Sequence, residues 1–151
     1  REKNSQYHTD CEIIGKVVVV VGTMVVPSED AEQSVLFDWA EMAKGRYPEL
    51  AWMYAVPNGG YRHIQTAAKL KKTGVKKGVP DVFLPAPRAG YHGLYIEMKR
   101  KRGGVISVDQ RRYMDFLTAQ GYRCLLCKGA DEAIENIKVY LNLPKDSQNR
   151  N

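Results

Sequence analysis

Two carboxylates and a lysine lie on neighbouring short runs of this sequence. Asp81 sits in Gly78-Val79-Pro80-Asp81-Val82-Phe83-Leu84, and Glu97 and Lys99 sit in Gly93-Leu94-Tyr95-Ile96-Glu97-Met98-Lys99. In each run apolar residues alternate with others and Pro or Gly bounds the segment, which is the pattern of a strand. Folded as an antiparallel hairpin about Ala89, with Pro85 to His92 as the loop, the runs set Leu84 opposite Leu94, Phe83 opposite Tyr95 and Asp81 opposite Glu97. Opposed residues share a face, with Cβ atoms roughly 4.5–5.5 Å apart, and a period of two keeps Lys99 on the face of Glu97. Like charges so placed repel. A divalent cation that favours hard oxygen ligands, Mg2+ or Mn2+, would cancel the repulsion. Without it the two acids should titrate as a coupled pair that holds one proton tightly. The alternative, from these residues alone, is two solvated strand-end charges beside a surface lysine.

Two helices must hold this hairpin in place. Ser28 is suited to cap the first, with Glu29, Asp30 and Glu32 in the opening turn, where the helix dipole favours acids. Leu36, Trp39, Ala40 and Ala43 recur at spacings of three and four and mark the buried face of a helix running to about Lys44 and stopping at Gly45. Glu32 falls on that inward face and so needs a partner, unless it serves only as a first-turn charge. Ser107-Val108-Asp109-Gln110 fits a capping box, opening a second helix that buries Tyr113, Met114 and Leu117 and stops at Gly121. Gln110 thus has a structural role at the third helical position, yet it follows the Lys99 strand closely enough to face the same site.

The remaining elements are read from pattern and punctuation. Ala51 to Val56 reads as a strand closed by the turn Pro57-Asn58-Gly59-Gly60, and Arg62 to Thr73 as a short helix ended by Gly74. Tyr122 to Cys127 reads as a buried strand, and Ala130 to Leu141 as a closing helix with Ala133, Ile134, Ile137 and Leu141 inward. The run Val17 to Val21, continuing through Met24 to Val26, reads as one apolar strand ended by Pro27, within an N-terminal extension over 1–27; it is too short to span a bilayer and lacks the order of a secretory signal. The numbering opens on Arg1, which points to a trimmed chain, and Pro144 to Asn151 reads as a disordered tail.

Composition narrows the function. The 151 residues suit one domain, and 23 Lys and Arg against 17 Asp and Glu, a net charge of +6, favour a polyanionic partner. Lys69, Lys72, Lys76 and Lys77 precede Asp81 with hardly an acid among them, and Arg100, Lys101 and Arg102 follow Lys99. This rim is either an ordinary solvated face or a set of phosphate contacts beside the site. Asn58 and Arg62 are further candidates for substrate contact. Cys124 and Cys127 fall on opposite faces of a strand and have no second cysteine pair, so core thiols are expected rather than zinc or redox chemistry, and three cysteines in all suit a reducing cytoplasm. The absence of a G-x-x-x-x-G-K-[ST] loop argues against a nucleotide cofactor.

In this order, Gly78-Val79-Pro80-Asp81, Ile96-Glu97-Met98-Lys99, Gly103-Gly104 and Gln110 resemble the virus-type replication-repair nuclease (VRR-Nuc) domain of the PD-(D/E)xK superfamily, in its stand-alone phage form, with the domain over 28–143. The resemblance implies an α/β restriction-endonuclease-like core (αβββαβ), a mixed central sheet flanked by helices. It implies metal-dependent phosphodiester hydrolysis of DNA, with branched DNA such as Holliday junctions acted on by a homodimer. Carried onto this chain, Asp81 and Glu97 match the metal-binding acids, Lys99 the catalytic lysine, Glu32 the helix acid, which would bind a second metal or anchor the first through water, and Gln110 the motif glutamine, with Mg2+ as cofactor. The competing expectations are a basic DNA-binding subunit that never cuts, and a nuclease acting on RNA or linear DNA.

Overall fold

The computed structural model describes residues 11–14, 17–20, 26–57 and 69–146. The first described elements are β1 (Cys11–Ile14) and β2 (Val17–Val20), paired antiparallel as a two-stranded sheet of their own. The valine run forms one strand, as expected, over Val17–Val20, and its partner is the upstream segment Cys11–Ile14; 21–25 lie outside the described residues.

Helix α1 (Glu29–Ala43) follows, with the Ser28 side chain accepting the Ala31 N–H at 3.1 Å, as its capping pattern demands. The strand expected over Ala51 to Val56 is mostly something else. Pro48 opens a 3-10 turn over Pro48–Trp52, and only Tyr54–Ala55 pairs as β3. Proline fixes φ near the helical value and suits a first-turn position, a signal that outweighs the apolar content of the run. Residues 69–72 are helical, where the end of a helix was expected, and 58–68 lie outside the described residues.

The central sheet has four strands in the order β3, β4 (Val82–Leu84), β5 (Leu94–Lys99) and β6 (Arg123–Lys128). The pairs β3/β4 and β4/β5 are antiparallel and β5/β6 is parallel. The crossover to β6 is made by α2 (Val108–Ala119), and α3 (Ala130–Leu141) closes the domain. The result is an α/β fold with a mixed sheet flanked by helices. The β4/β5 register sets Val82 opposite Ile96, Phe83 opposite Tyr95 and Leu84 opposite Leu94, the pairing expected from the two runs. Its tip is a tight turn in which Ala89 and Gly90 have φ of 48° and 84°, the left-handed pair that a two-residue hairpin turn requires. The Ala89 N–H donates to the Pro144 carbonyl at 2.9 Å and the Gly90 N–H to Asp146 Oδ1 at 2.8 Å. The first residues of the expected tail therefore dock on the hairpin tip, and 147–151 lie outside the described residues.

Alternation divides the sheet into two faces. Val82, Leu84, Leu94, Ile96 and Met98 pack with Leu36 and Ala40 of α1 and Ala133, Ile137, Tyr140 and Leu141 of α3 in one apolar core. Each such large side chain contributes about 1.5–3 kcal/mol by leaving water. Phe83, Tyr95, Glu97 and Lys99 alternate with them. Strand β6 lies at the sheet's edge, with Cys127 its one buried side chain, rather than being buried throughout as expected. Burial pushes the Cys127 thiol up to about 11 and raises that of Cys124 as well, and both are free thiols. On α2, Leu117 is buried while Tyr113 and Met114 are only half-buried.

Candidate active site

The end of the central hairpin gathers the chemistry. Proline at 80 ends strand geometry before Asp81, so Asp81 immediately precedes β4 rather than lying within it. Its backbone still pairs, because the Asp81 carbonyl accepts the Val56 N–H at 2.8 Å. Its side chain turns to the neighbouring strand, where Oδ2 accepts the Met98 N–H at 2.9 Å.

Glu97 is fully buried and Lys99 nearly so, at 0% and 5% exposed. Glu97 Oε1 accepts from Lys99 Nζ at 2.7 Å and from Gln110 Nε2. Glu97 Oε2 is buried with no hydrogen-bond partner among the described residues. Burial pushes the Glu97 carboxyl from 4.5 up to about 7; the hydrogen bond from Lys99 opposes this, and the adjacent Asp81 charge adds to it. For Lys99, burial works against the charge. The hydrogen bond to Glu97 and the negative charges of Glu97, Glu29 and Asp81 outweigh it, leaving the ammonium held more tightly than usual. Two carboxylates and one buried cation thus form the cluster expected from the hairpin register.

Gln110 combines its two expected roles in one amide. Its Oε1 accepts the Ser107 N–H at 2.8 Å while its own N–H donates to Ser107 Oγ at 3.2 Å, completing the capping box of α2. The amide nitrogen is then turned toward Glu97. Two glycines make this approach feasible. Gly78 has φ of 82°, and a Cβ there would lie 2.5 Å from the Asp109 carbonyl carbon and oxygen. A Cβ on Gly104 would lie 2.9 Å from the Lys99 Cβ.

Glu32 points inward, as its position on α1 implies, but to a different partner. Its Oε2 accepts the Ala130 N–H at 2.8 Å, and its Oε1 lies 3.9 Å from Lys101 Nζ. Gly129 precedes α3 and has no side chain to cap it, so a carboxylate from α1 supplies the acceptor at the positive end of the dipole. Among the described residues no three acidic, histidine or cysteine side chains converge as a metal site. The structure therefore brings Asp81, Glu97, Lys99 and Gln110 together and leaves Glu32 outside that group.

The acid of α1 nearest Lys99 in charge contact is Glu29, with Oε2 3.8 Å from Lys99 Nζ. Sequence reasoning treated it only as a first-turn charge. The available signal was its spacing of three from Glu32, which puts both on one side of the opening turn. Of the basic rim, Lys69, Lys72, Lys76, Lys77, Arg100 and Arg102 are exposed. Lys101 is occupied by Asp131 at 2.7 Å. Asn58 and Arg62 lie outside the described residues.

A mixed sheet whose central hairpin ends in a half-buried aspartate, a buried glutamate and a buried lysine, with a glutamine reaching in from the crossover helix, defines a nuclease-type α/β domain. Residues 28–131 match the family described as the VRR-NUC domain, and the chain belongs to that family. A solved structure described as a "VRR_NUC domain protein" is similar at 31% identity and a TM-score of 0.69, over 81% of this chain and 94% of that one. No curated protein matches. A nuclease-type, hydrolytic function follows from the family. Among the described residues no helix is long and apolar enough to cross a membrane.

Proposed function

We propose that this domain is a Mg2+-dependent endonuclease that hydrolyses DNA phosphodiester bonds, with Mn2+ able to substitute, and that it acts as a homodimer with preference for branched DNA. The observation that carries the reading is Glu97 Oε2, an unpartnered buried acceptor beside the Asp81 carboxylate. Leaving a carboxylate so placed costs stability, which a cation would return. Mg2+ commonly takes one or two protein carboxylates and completes its shell with water and substrate phosphate, so a two-acid site fits it, with Asp81 and Glu97 as the ligands. When bound, the ion supplies Lewis acidity toward a phosphoryl oxygen and makes water a better nucleophile near neutral pH.

The side chains divide the remaining work. Gln110 and Lys99 engage Glu97 Oε1 and leave Oε2 for coordination. Lys99, held as an ammonium between Glu97 and Glu29, orients the attacking water and offsets the negative charge that develops on the phosphorane-like transition state. The Met98 N–H fixes the Asp81 carboxylate. Glu32, matched to the helix acid by resemblance, contributes by anchoring α3 to α1. The exposed lysines and arginines on both sides of the cluster draw in the phosphate backbone. The test is cleavage of labelled four-way junction and linear duplex by wild type, Asp81→Asn and Lys99→Ala in Mg2+, Mn2+ or EDTA. The expected result is junction cutting by wild type with either metal and none in EDTA, while both variants bind and do not cut. Undiminished cutting by either variant, purified free of wild type, would refute the assignment.

A further inference from the structure

The outward side of α2 carries Asp109, Arg112, Tyr113 and Phe116 at helical spacings of three and four, so they form one stripe. With Lys77 they line a shallow recess of about 400 Å3. Phe116 is 60% exposed, although its ring meets Tyr113 edge to face with centroids 6.5 Å apart. Tyr113 also lines the adjoining recess, together with Val79, Lys76 and Thr73. The buried contact of this helix is made by Leu117, not by Phe116. Its neighbours are two cations, Lys77 and Arg112, and one carboxylate, Asp109.

The recess is joined to the catalytic cluster through the backbone. Asp109 is the residue before Gln110, which bonds Glu97, and Lys77 is the residue before Gly78, where an added Cβ would meet the Asp109 backbone. Two of its lining residues, Lys77 and Asp109, are thus next in sequence to residues that shape the Gln110–Glu97 contact. A planar aromatic surface bordered by phosphate-seeking cations is the composition of a single-strand platform, where bases stack on rings and cations follow the backbone. Asp109 adds an acceptor for the amino group of a base.

We propose that this recess is a subsite for one unpaired nucleobase of the substrate, stacked against Phe116 and Tyr113 with its flanking phosphates on Lys77 and Arg112. This rests on the reading of the domain as acting on DNA and gives a physical source for its preference among DNA shapes. A fully paired duplex keeps its bases stacked internally, whereas an unpaired flap at a branch offers one that can enter the recess.

The test uses the full chain carrying Asp81→Asn, which blocks cleavage, and duplexes with or without an unpaired flap containing 2-aminopurine at the branch. Binding is expected to change the 2-aminopurine fluorescence, and the flap is expected to bind more tightly than the blunt duplex. Phe116→Ala should lower the ratio of the two affinities by about 5- to 100-fold, the size of a lost base–ring stack, and Phe116→Trp should restore it. Because Phe116 is mostly exposed, thermal unfolding should show the alanine variant folded. An unchanged affinity ratio and fluorescence in Phe116→Ala would overturn the subsite while leaving the nuclease reading intact. Conversely, a wild-type chain that cuts nothing, together with a flap preference that Phe116→Ala removes, would support the subsite and sink the nuclease reading.

Discussion

Replacing Asp81 by Asn should stabilise the metal-free domain while abolishing its activity. The amide keeps an oxygen for the Met98 N–H, now bonded at 2.9 Å, and removes one of two like charges. The Glu97 carboxyl rises from 4.5 to about 7 in the folded state. At about 1.36 kcal/mol per unit, the whole shift disfavours the folded, ionised site by about 3 kcal/mol. Burial is the largest part and the Asp81 charge a smaller one, and removing that charge also gives up its attraction for the Lys99 ammonium, so the substitution should return at most about 1 kcal/mol, or about 2–4 °C in melting temperature. The pH dependence follows from a folded value above the unfolded one. Below about 4.5 both states hold the proton and nothing is lost. As pH rises to about 7 the unfolded chain releases its proton first, so wild-type stability falls across that window and levels off above it. The assay is denaturation in EDTA from pH 4.5 to 8. The variant's advantage should be largest at pH 8 and shrink toward pH 4.5, and Mg2+ should reverse the order by stabilising wild type alone. A variant less stable than wild type at pH 8 in EDTA, or an advantage independent of pH, would refute the account of the acid pair.

Gly78→Ala adds a Cβ 2.5 Å from the Asp109 backbone at a φ of 82°, and should cost about 1–3 kcal/mol with a loss of activity as α2 and Gln110 are displaced; calorimetry and cleavage rates measured side by side would check it. Gln110→Ala removes both the capping bond to Ser107 and the bond to Glu97, and should cost about 1 kcal/mol along with most of the activity, whereas Ser107→Ala should cost similar stability and retain more turnover. Native Cys127, with its thiol pushed up to about 11 by burial, should resist iodoacetamide at pH 8 and react once the chain is unfolded in urea, as mass spectrometry of the alkylated peptide would show.

The central hairpin was legible because two independent local signals agree on it. Alternation set the faces, and the position sums set the register later found in Val82–Ile96, Phe83–Tyr95 and Leu84–Leu94. The capping box at Ser107 and the N-cap at Ser28 were legible for the same reason, since each is complete within four residues. Where one signal had to stand alone, expectation and structure part. The run from Ala51 has apolar content, but Pro48 sets the local backbone first.

The partners of Glu32 and Glu29 depended on something a linear reading cannot supply, the placement of α3 against α1. Periodicity put Glu32 inward, and the nearest known demand for a carboxylate was the Asp81–Glu97 cluster. The fold supplies a second demand, because Gly129 leaves the start of α3 without a side-chain cap and the Ala130 N–H lies 2.8 Å from Glu32 Oε2. Glu32 meets that demand through Oε2, while its Oε1 is buried without a hydrogen-bond partner among the described residues. Glu29, three residues earlier and 43% exposed at its side chain, remains to balance Lys99. The same turn of α1 thus ties the last helix to the domain and sets the charge beside the catalytic lysine, so a shift of that turn would disturb packing and chemistry together.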